Sequence, residues 1–436
     1  METAAPSSVT VAAWPGGIPR LLRNPARTDA ERYSEYRESG GYRPLTDLDA
    51  LLSEVESSGL VGRGGAGFPL GRKLRTVRDN GRLGRTRTVA IANGEEGEPA
   101  SIKDRWLLRH RPHLVLDGLR LAAAVVAADR AVVYVSDPQA AQAVKTALDE
   151  LDSTTFGGAM VTVRLVDPGY VAGEETAAVR ALNGGPVKPT DKPPRPFQAG
   201  VDGLPTLVSN VETLANLPFL HEHGAVAFRS QGTSQSPGTF LVTITGGGRP
   251  PGLYEVPHGL PFPELIAFHG VSPDQVRGVL MGGYFAGLLN RTVLDATLDH
   301  ETLRGLGSGL GAGAICVLTD DCPVAVAASV LGYFDRENAG QCGSCFNGTA
   351  AMAAAAAALR DGVATAEDVS RLRRWSVVLR GRGACATLDA ATNTAGSLLD
   401  QFPDEVARHL DNRCESCGVG PYSADRPYEV EAVTPA

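Results

Sequence analysis

Two groups of residues in this chain have the types and spacing for chemistry. The first is the stretch Gly62 to Leu74, GRGGAGFPLGRKL, in which Arg63 and Lys73 frame Gly64, Gly65 and Gly67. Glycine lets backbone N–H groups turn inward at φ values other residues avoid. A run of such groups at the start of a helix makes an anion cradle, and Lys73 adds a point charge. The implied cargo is a phosphorylated cofactor, the alternative being an ordinary turn. The second group is the cysteines. Five of the seven (Cys342, Cys345, Cys385, Cys414 and Cys417) fall late in the chain and include two C-x-x-C pairs; Cys316 and Cys322 precede them. In a cytosolic protein such clustering reads as metal or iron–sulfur ligation before it reads as disulfides.

A helix over 46–58, capped by Thr46 and apolar at Leu48, Leu51, Leu52 and Val55, delivers the chain into the glycine loop. The run TVAIA at 88–92 predicts a buried parallel strand. It ends in Asn93-Gly94-Glu95-Glu96-Gly97-Glu98-Pro99, and an open α/β sheet holds its ligand just past the carboxyl ends of its strands. The carboxylates there are either a solvated acidic turn or acceptors for ribityl or ribose hydroxyls. A long helical region, 103–129, carries His110 and His113. Pro112 between them and the lack of a third ligand favour an ordinary helix entry over a metal pair. Strand-like runs at 131–137 and 160–167 flank a helix at 138–151, which implies a right-handed parallel βαβ sheet. Gly169-Tyr170-Val171-Ala172-Gly173-Glu174-Glu175 follows a strand and opens a helix, a second cluster of N–H groups. The Pro- and Lys-rich stretch 186–205 is too broken for regular structure. Asn210 and Thr213 can bond phosphate oxygens from another helix start, and Asn210 is equally a good cap. Residues 237–290 alternate short β-runs with Gly/Pro turns around one short helix, a small β-grasp-like module. From about Arg336 the chain is helical, with an Ala run that lets helices pack closely in a small bundle.

The chain has 436 residues, 43% hydrophobic and 21% charged, which describes a soluble globular protein of several domains. A net charge of −8 argues against a nucleic-acid binder. No run approaches ~18 strongly apolar residues, so no direct membrane insertion is expected. The opening METAAPSSVTVAAWPGG has no basic region followed by a long apolar run and reads as a flexible arm rather than a signal peptide. A cytoplasmic protein is expected.

Taken in order, SGLVGRGGAGFPLGRK, NGEEGEPASIKDR, GYVAGEETAAVRAL, KPPRPF, LVSNVETLANLP, ENAGQCGSC and GRGACATLD resemble one family. It is that of the 51-kDa (F) flavoprotein subunit of respiratory complex I, a module shared with NAD-linked hydrogenases and formate dehydrogenases. The resemblance implies a multidomain α/β protein. A flexible arm (1–40) would precede a Rossmann-like FMN and NADH domain (41–235). A soluble-ligand-binding β-grasp module with its linker (236–330), a helical iron–sulfur domain (331–420) and a tail (421–436) would follow. Carried over by position, Gly62, Arg63, Gly64, Lys73, Asn93, Glu95 and Glu96 would hold FMN, and Tyr170, Gly173, Glu174, Glu175, Asn210 and Thr213 would complete its site. Glu98, Glu175, Phe68 and Lys192 would contact the nucleotide, with Glu98 and Glu175 assigned as catalytic. The implied chemistry is hydride transfer from NADH or NADPH to the flavin, then release of single electrons through a [4Fe–4S] cluster. The acceptor would be a ferredoxin-like or thioredoxin-like [2Fe–2S] protein.

The chain departs from that pattern in three places. The family's first cluster cysteine is Ala339 here, leaving Cys342, Cys345 and Cys385, and three thiolates do not fill a four-ligand site. A tail cysteine is one substitute, with Cys417 the assigned one and Cys414 the other; a non-cysteine ligand and loss of the cluster are the alternatives. Arg195 and Thr76 stand where the family stacks aromatic rings on adenine, and Arg195 suits the 2′-phosphate of NADPH. The tail pair Cys414/Cys417 lies outside the family motif, and together with Cys342/Cys345 it is also what a structural zinc site shows. Two other readings stay open: an FMN and iron–sulfur electron carrier without nicotinamide activity, and a zinc-stabilised scaffold with no redox role.

Overall fold

The computed structural model describes residues 9–23, 28–411, 414, 416–417 and 425–433. Ten strands occur among them: β1 (Thr10–Ala13), β2 (Thr88–Asn93), β3 (Ala128–Val135), β4 (Met160–Leu165), β5 (Thr206–Asn210), β6 (Thr239–Gly246), β7 (Gly252–Pro257), β8 (Gly278–Met281), β9 (Leu288–Asn290) and β10 (Ala314–Leu318). They form a four-stranded sheet in the order β4-β3-β2-β5 and a six-stranded sheet in the order β1-β7-β6-β10-β8-β9.

The smaller sheet is parallel throughout, as the alternation of strands and helices requires. Its central strand β2 is buried from Thr88 to Ala92, which is why the sequence there is a continuous apolar run. The helices Leu70–Gly84, Pro112–Val126 and Pro138–Asp149 share one core with it. Three local details differ from the sequence expectation. The first helix runs Leu48–Ser58 and is capped by Asp47, whose carboxylate accepts from the Asp49 and Ala50 amides. That makes Asp47 rather than Thr46 its cap. The region 103–129 is two helices, Lys103–His110 and Pro112–Val126, because Pro112 lacks an N–H and forces Arg111 out of helical geometry. His113 is a satisfied core histidine: Nδ1 meets the Tyr42 hydroxyl at 3.0 Å and Nε2 meets Glu150 at 3.0 Å.

The six-stranded sheet is mixed. β1/β7 and β6/β10 are parallel, and the other neighbours are antiparallel. Strand β1 lies within the segment expected to be an arm. Its continuation is held by one buried carboxylate: Glu255 accepts from the amides of Arg20, Leu21 and Leu22 at 2.8–3.1 Å. Leu21 and Leu22 are fully buried, so hydrophobic burial adds to those bonds.

The helical part comprises Pro323–Glu337, Gly343–Arg360, Ala366–Val378, Thr387–Gln401 and Pro403–Leu410. It begins earlier than Arg336. Residues 323–331 are buried on every side, and an all-round apolar helix shows no amphipathic period to read. A buried network fastens the parallel sheet to the mixed one. Lys103 Nζ lies 2.7 Å from Asp104 and 3.0 Å from Glu212, and Glu212 accepts the Leu241 amide of β6.

Candidate active site

The parallel sheet, the glycine loop and the mixed sheet meet at the carboxyl ends of β2 and β5. There Asn93 and Asn210 are register partners. The glycine loop is closed by the Gly62 amide donating to the Phe68 carbonyl at 2.9 Å. Gly65 (φ +110°) and Gly67 (φ +61°) hold conformations that favour glycine. Gly64 packs against β5, where a Cβ would stand 3.2 Å from Asn210 Cβ. The loop's arginine does not face an anion. Arg63 donates its amide to Thr213 Oγ1 at 2.8 Å, while its buried guanidinium reaches His258 Nε2 at 2.6 Å and the Thr239 carbonyl at 3.1 Å. Arg63 and Thr213 therefore anchor the loop. Asn210 caps the next helix by accepting from the Glu212 amide, and donates to Asp104 at 2.6 Å.

The loops after β2 and before the helix Glu175–Leu182 close on each other. Asn93 Nδ2 donates to the Gly173 carbonyl at 2.7 Å. A Cβ on Gly173 would meet Glu95 Oε2 at 2.6 Å. That oxygen is buried without a partner in the protein, while Glu95 Oε1 accepts the Gly169 amide at 3.4 Å. The three acidic side chains differ in role. Glu96 is used up within the protein: it accepts from Ser101 Oγ and from the Asp104 and Arg105 amides, and pairs with the Arg105 guanidinium. Burial opposes its charge, but Arg105 and Lys103 outweigh burial and hold its carboxyl below the usual range. Glu98 accepts the Tyr284 amide at 3.0 Å and the Ala100 amide at 3.3 Å. Glu95 and Glu98 are each pushed up to about 8, chiefly by burial.

These two groups tie stability to pH. An ordinary glutamate loses its proton near 4.5, whereas the folded chain keeps both protons to about 8. Between those values the folded state binds more protons than the unfolded one, so stability falls as pH rises through that window. The cost is on the order of 5 kcal/mol for each group. Glu95→Gln is expected to remove its share in flavin-free protein. The melting-temperature advantage of the variant should grow from pH 5 to pH 8.5, and an advantage that stays constant across that range would rule the assignment out.

Glu174 caps the helix that follows by accepting from the Thr176 and Ala177 amides, and it pairs with Lys192 at 2.5 Å. Glu175 faces three cations: Lys73 at 3.7 Å, Lys192 at 3.9 Å and Arg195 at 4.0 Å. Burial lowers the Lys73 ammonium, and Glu175 opposes that shift. Phe68 is 42% exposed, with the Arg72 guanidinium 5.7 Å from its ring centre. The result is an open, cation-rich shelf beside an exposed aromatic ring. Thr76, half-buried, turns its hydroxyl back to the Arg72 carbonyl.

Tyr170 connects this pocket to the cysteines. Its ring packs edge-on against Phe334 at 5.1 Å and Tyr333 at 5.9 Å, and burial first, then Glu98 and Cys385, pushes its hydroxyl well up. Cys342 caps the helix Gly343–Arg360 and Cys345 lies in its first turn. The Ala384 amide points at Cys342 Sγ at 3.4 Å, and Cys385 Sγ meets Thr387 Oγ1 at 3.3 Å. The Cys345 thiol is pushed up to about 12, first by burial and then by Cys385 and Cys342. Three thiols thus converge. Cys417 is elsewhere, grouped with Cys322, His409 and Cys414. Cys417, expected as the fourth iron–sulfur ligand, is thus placed with this group rather than beside Cys342, Cys345 and Cys385. Sequence reasoning missed Cys322 and His409, which are single residues 87 positions apart with no spacing signal.

The match to known proteins follows this geometry. Residues 55–219 match the Nuo51 FMN-binding domain, and residues 325–409 match the NADH-ubiquinone oxidoreductase-F iron-sulfur binding region. An F-type NADH-quinone oxidoreductase chain of Rhizobium meliloti (strain 1021), the one numbered 2, is 32% identical over 416 residues, covering 91% of this chain and 98% of that one. This chain belongs to the 51-kDa flavoprotein family of NADH-quinone oxidoreductases. The NADP-reducing hydrogenase subunit HndC of Solidesulfovibrio fructosivorans is also 32% identical, over 90% of this chain and 83% of its own. The crystal structure of an NAD+-reducing [NiFe]-hydrogenase in the air-oxidized state superposes with a TM-score of 0.77 at 30% identity. That likeness covers 84% of this chain and 63% of the hydrogenase chain. In the iron–sulfur region, Ala339 is buried, and its carbonyl accepts from Lys188 Nζ at 2.8 Å.

Proposed function

We propose that this 51-kDa-family chain is an FMN-dependent NAD(P)H dehydrogenase that passes electrons through an iron–sulfur centre to a protein acceptor. The observation that carries it is the convergence of the glycine loop, the Asn93–Glu98 loop and the Gly173 turn at the carboxyl ends of the parallel strands, with three thiols behind Tyr170. The residues suit a flavin. The glycine loop offers N–H groups for a phosphate, and Glu95 Oε2, without a partner in the protein, is placed to meet a ligand hydroxyl. When bound, FMN supplies two-electron acceptance from a nicotinamide and one-electron release.

The chain's own residues position the reactants. Gly64, Gly65 and Gly67 would present the backbone to the phosphate, the Gly62 amide closing the loop on the Phe68 carbonyl, with Lys73 adding charge. Asn93, Glu95 and Gly173 face the polyol and ring side. Phe68 offers a stacking face to adenine, and Lys192 and Arg195 offer cations to the nucleotide phosphates. Arg195, 55% exposed at its side chain, is suited to a 2′-phosphate and so to NADPH. Glu175 lines the shelf where the nucleotide would lie, while Glu98, buried on the Tyr284 and Ala100 amides, would act from the loop after β2. Cys342, Cys345 and Cys385 would supply three ligands of the iron–sulfur centre, and a non-cysteine group would supply the fourth. Strands β6 to β10 with the Phe262–Phe268 helix read as the β-grasp module expected at 236–330, joined at its edge by β1. The flavin unit expected at 41–235 and the helical iron–sulfur unit expected at 331–420 flank it, the latter entered through the helix Pro323–Glu337. A ferredoxin-like or thioredoxin-like [2Fe–2S] protein fits as acceptor. No helix among the described residues is long and apolar enough to cross a membrane, and a cytoplasmic place of work accords with that.

An anaerobic absorbance titration tests this reading. Iron-reconstituted protein is mixed with NADH and then NADPH while the flavin band near ~450 nm is followed. Bleaching by either nucleotide is the expected result, with NADPH the more effective. Bound flavin that ignores both would make the chain a protein-to-protein electron carrier. Absence of both flavin and iron would leave only a scaffold.

A further inference from the structure

One cluster of metal-binding side chains lies outside the flavin pocket and the three-thiol group. Cys322 Sγ stands 3.1 Å from His409 Nε2, Cys414 Sγ 3.9 Å from Cys322 Sγ, and Cys417 Sγ 3.8 Å from His409 Nε2. All four ligand atoms lie within 4.8 Å of one another. We propose that Cys322, His409, Cys414 and Cys417 form a closed, structural zinc site, separate from the iron–sulfur centre.

The spacing argues for a single ion. A tetrahedral zinc with Zn–S bonds of about 2.3 Å has sulfur–sulfur edges of about 3.8 Å. Ligands to a four-iron cluster sit on different irons, so they stand apart by the iron–iron separation as well as by two metal–sulfur bonds. The thiols here are too close together for that. They are also too far apart for a disulfide, since 3.9 Å between Cys322 and Cys414 is well beyond a bond of about 2.05 Å. Three thiols and an imidazole with no carboxylate make a zinc set that fills four positions and leaves none open for a substrate.

The imidazole is prepared for the role. His409 Nδ1 meets the Leu359 carbonyl at 3.0 Å. A carbonyl only accepts, so Nδ1 carries the proton and Nε2 presents its lone pair to the thiols. A second bond of this kind is what fixes the ring of a metal-binding histidine. Cys322 and His409 are both buried, so without an ion the centre packs polar atoms together with little solvent.

The site joins three parts of the chain. Cys322 caps the helix Pro323–Glu337 just after β10, His409 belongs to the helix Pro403–Leu410, and the last two ligands come from the segment that follows. Further along, residues 425–433 lie against the flavin loop. The Val430 amide donates to the Pro99 carbonyl at 3.1 Å, and Glu431 is held by Arg109 at 2.9 and 3.0 Å. A zinc ion here would fasten the C-terminal segment whose end braces the Asn93–Glu98 loop.

The test counts metals in full-length protein from culture supplied with both iron and zinc. About one zinc per chain is expected in the parent protein, with X-ray absorption showing three sulfurs at about 2.3 Å and one nitrogen at about 2.0 Å. Cys417→Ala should lower zinc at least about fivefold and leave iron unchanged, since a closed site loses most of its affinity with one ligand. Cys345→Ala should do the reverse. The parent spectrum does not depend on how any variant folds. Zinc absent from the parent, sulfur–iron rather than sulfur–zinc scattering, iron that follows Cys417, or a Cys322–Cys414 disulfide by peptide mass would each overturn the proposal.

Discussion

Gly64→Val is expected to yield a folded chain that retains less than about a tenth of the parent's flavin, a loss of at least ~1.4 kcal/mol in binding. The reason is steric. A Cβ at Gly64 would already stand 3.2 Å from Asn210 Cβ, and valine adds two methyl groups. Neither side can easily yield. The loop is pinned next door by the Arg63 amide on Thr213, and Asn210 is held by its bonds to the Glu212 amide and Asp104. The strain is relieved by moving the loop that offers its amides to the phosphate. Flavin per chain after gel filtration, with circular dichroism as the check on folding, measures the effect. Stoichiometric flavin in the folded variant would remove Gly64 from the cradle.

Cys345→Ala should abolish the low-temperature EPR signal of the reduced protein and its iron absorbance. Cys345 lies in the first turn of the helix that Cys342 caps, and Cys385 and Cys342 are close enough to act on its thiol. With Ala339 in place of the family's first cysteine, no spare thiol stands in this group to replace it. Retention of the full signal would mean that the iron is held elsewhere. Cys316→Ala serves as a control, because Cys316 is buried in β10, away from the helix ends that carry the other three.

Much of the candidate site was legible because its signals are local. The glycine loop, the acidic loop after β2 and the Gly173 turn each follow from residues adjacent in sequence, and the parallel strands follow from short apolar runs separated by helical stretches. The order of those motifs marked the family, and the matched relatives bear it out. The edges of elements were less legible. Thr46 and Asp47 are both good caps, and only the backbone path decides which side chain reaches the free amides.

What the sequence by itself determined is the set of backbone shapes and the inventory of ligands: where glycine permits an inward amide, where strands must be buried, and that three cysteines remain where four were expected. What only the tertiary structure decided is how distant side chains are shared out. Arg63 lies in the cradle by sequence, yet its guanidinium reaches across to His258 and Thr239 of the mixed sheet. Glu96 sits between Glu95 and Glu98, yet Arg105 and the amides of the following helix consume it. Cys417 follows the helical domain and is the expected substitute for a missing iron–sulfur ligand, yet packing brings it to Cys322 and His409. A side chain's partner is set by which elements come within about 3–4 Å of it. For residues far apart in the chain that proximity exists only once the domains have packed.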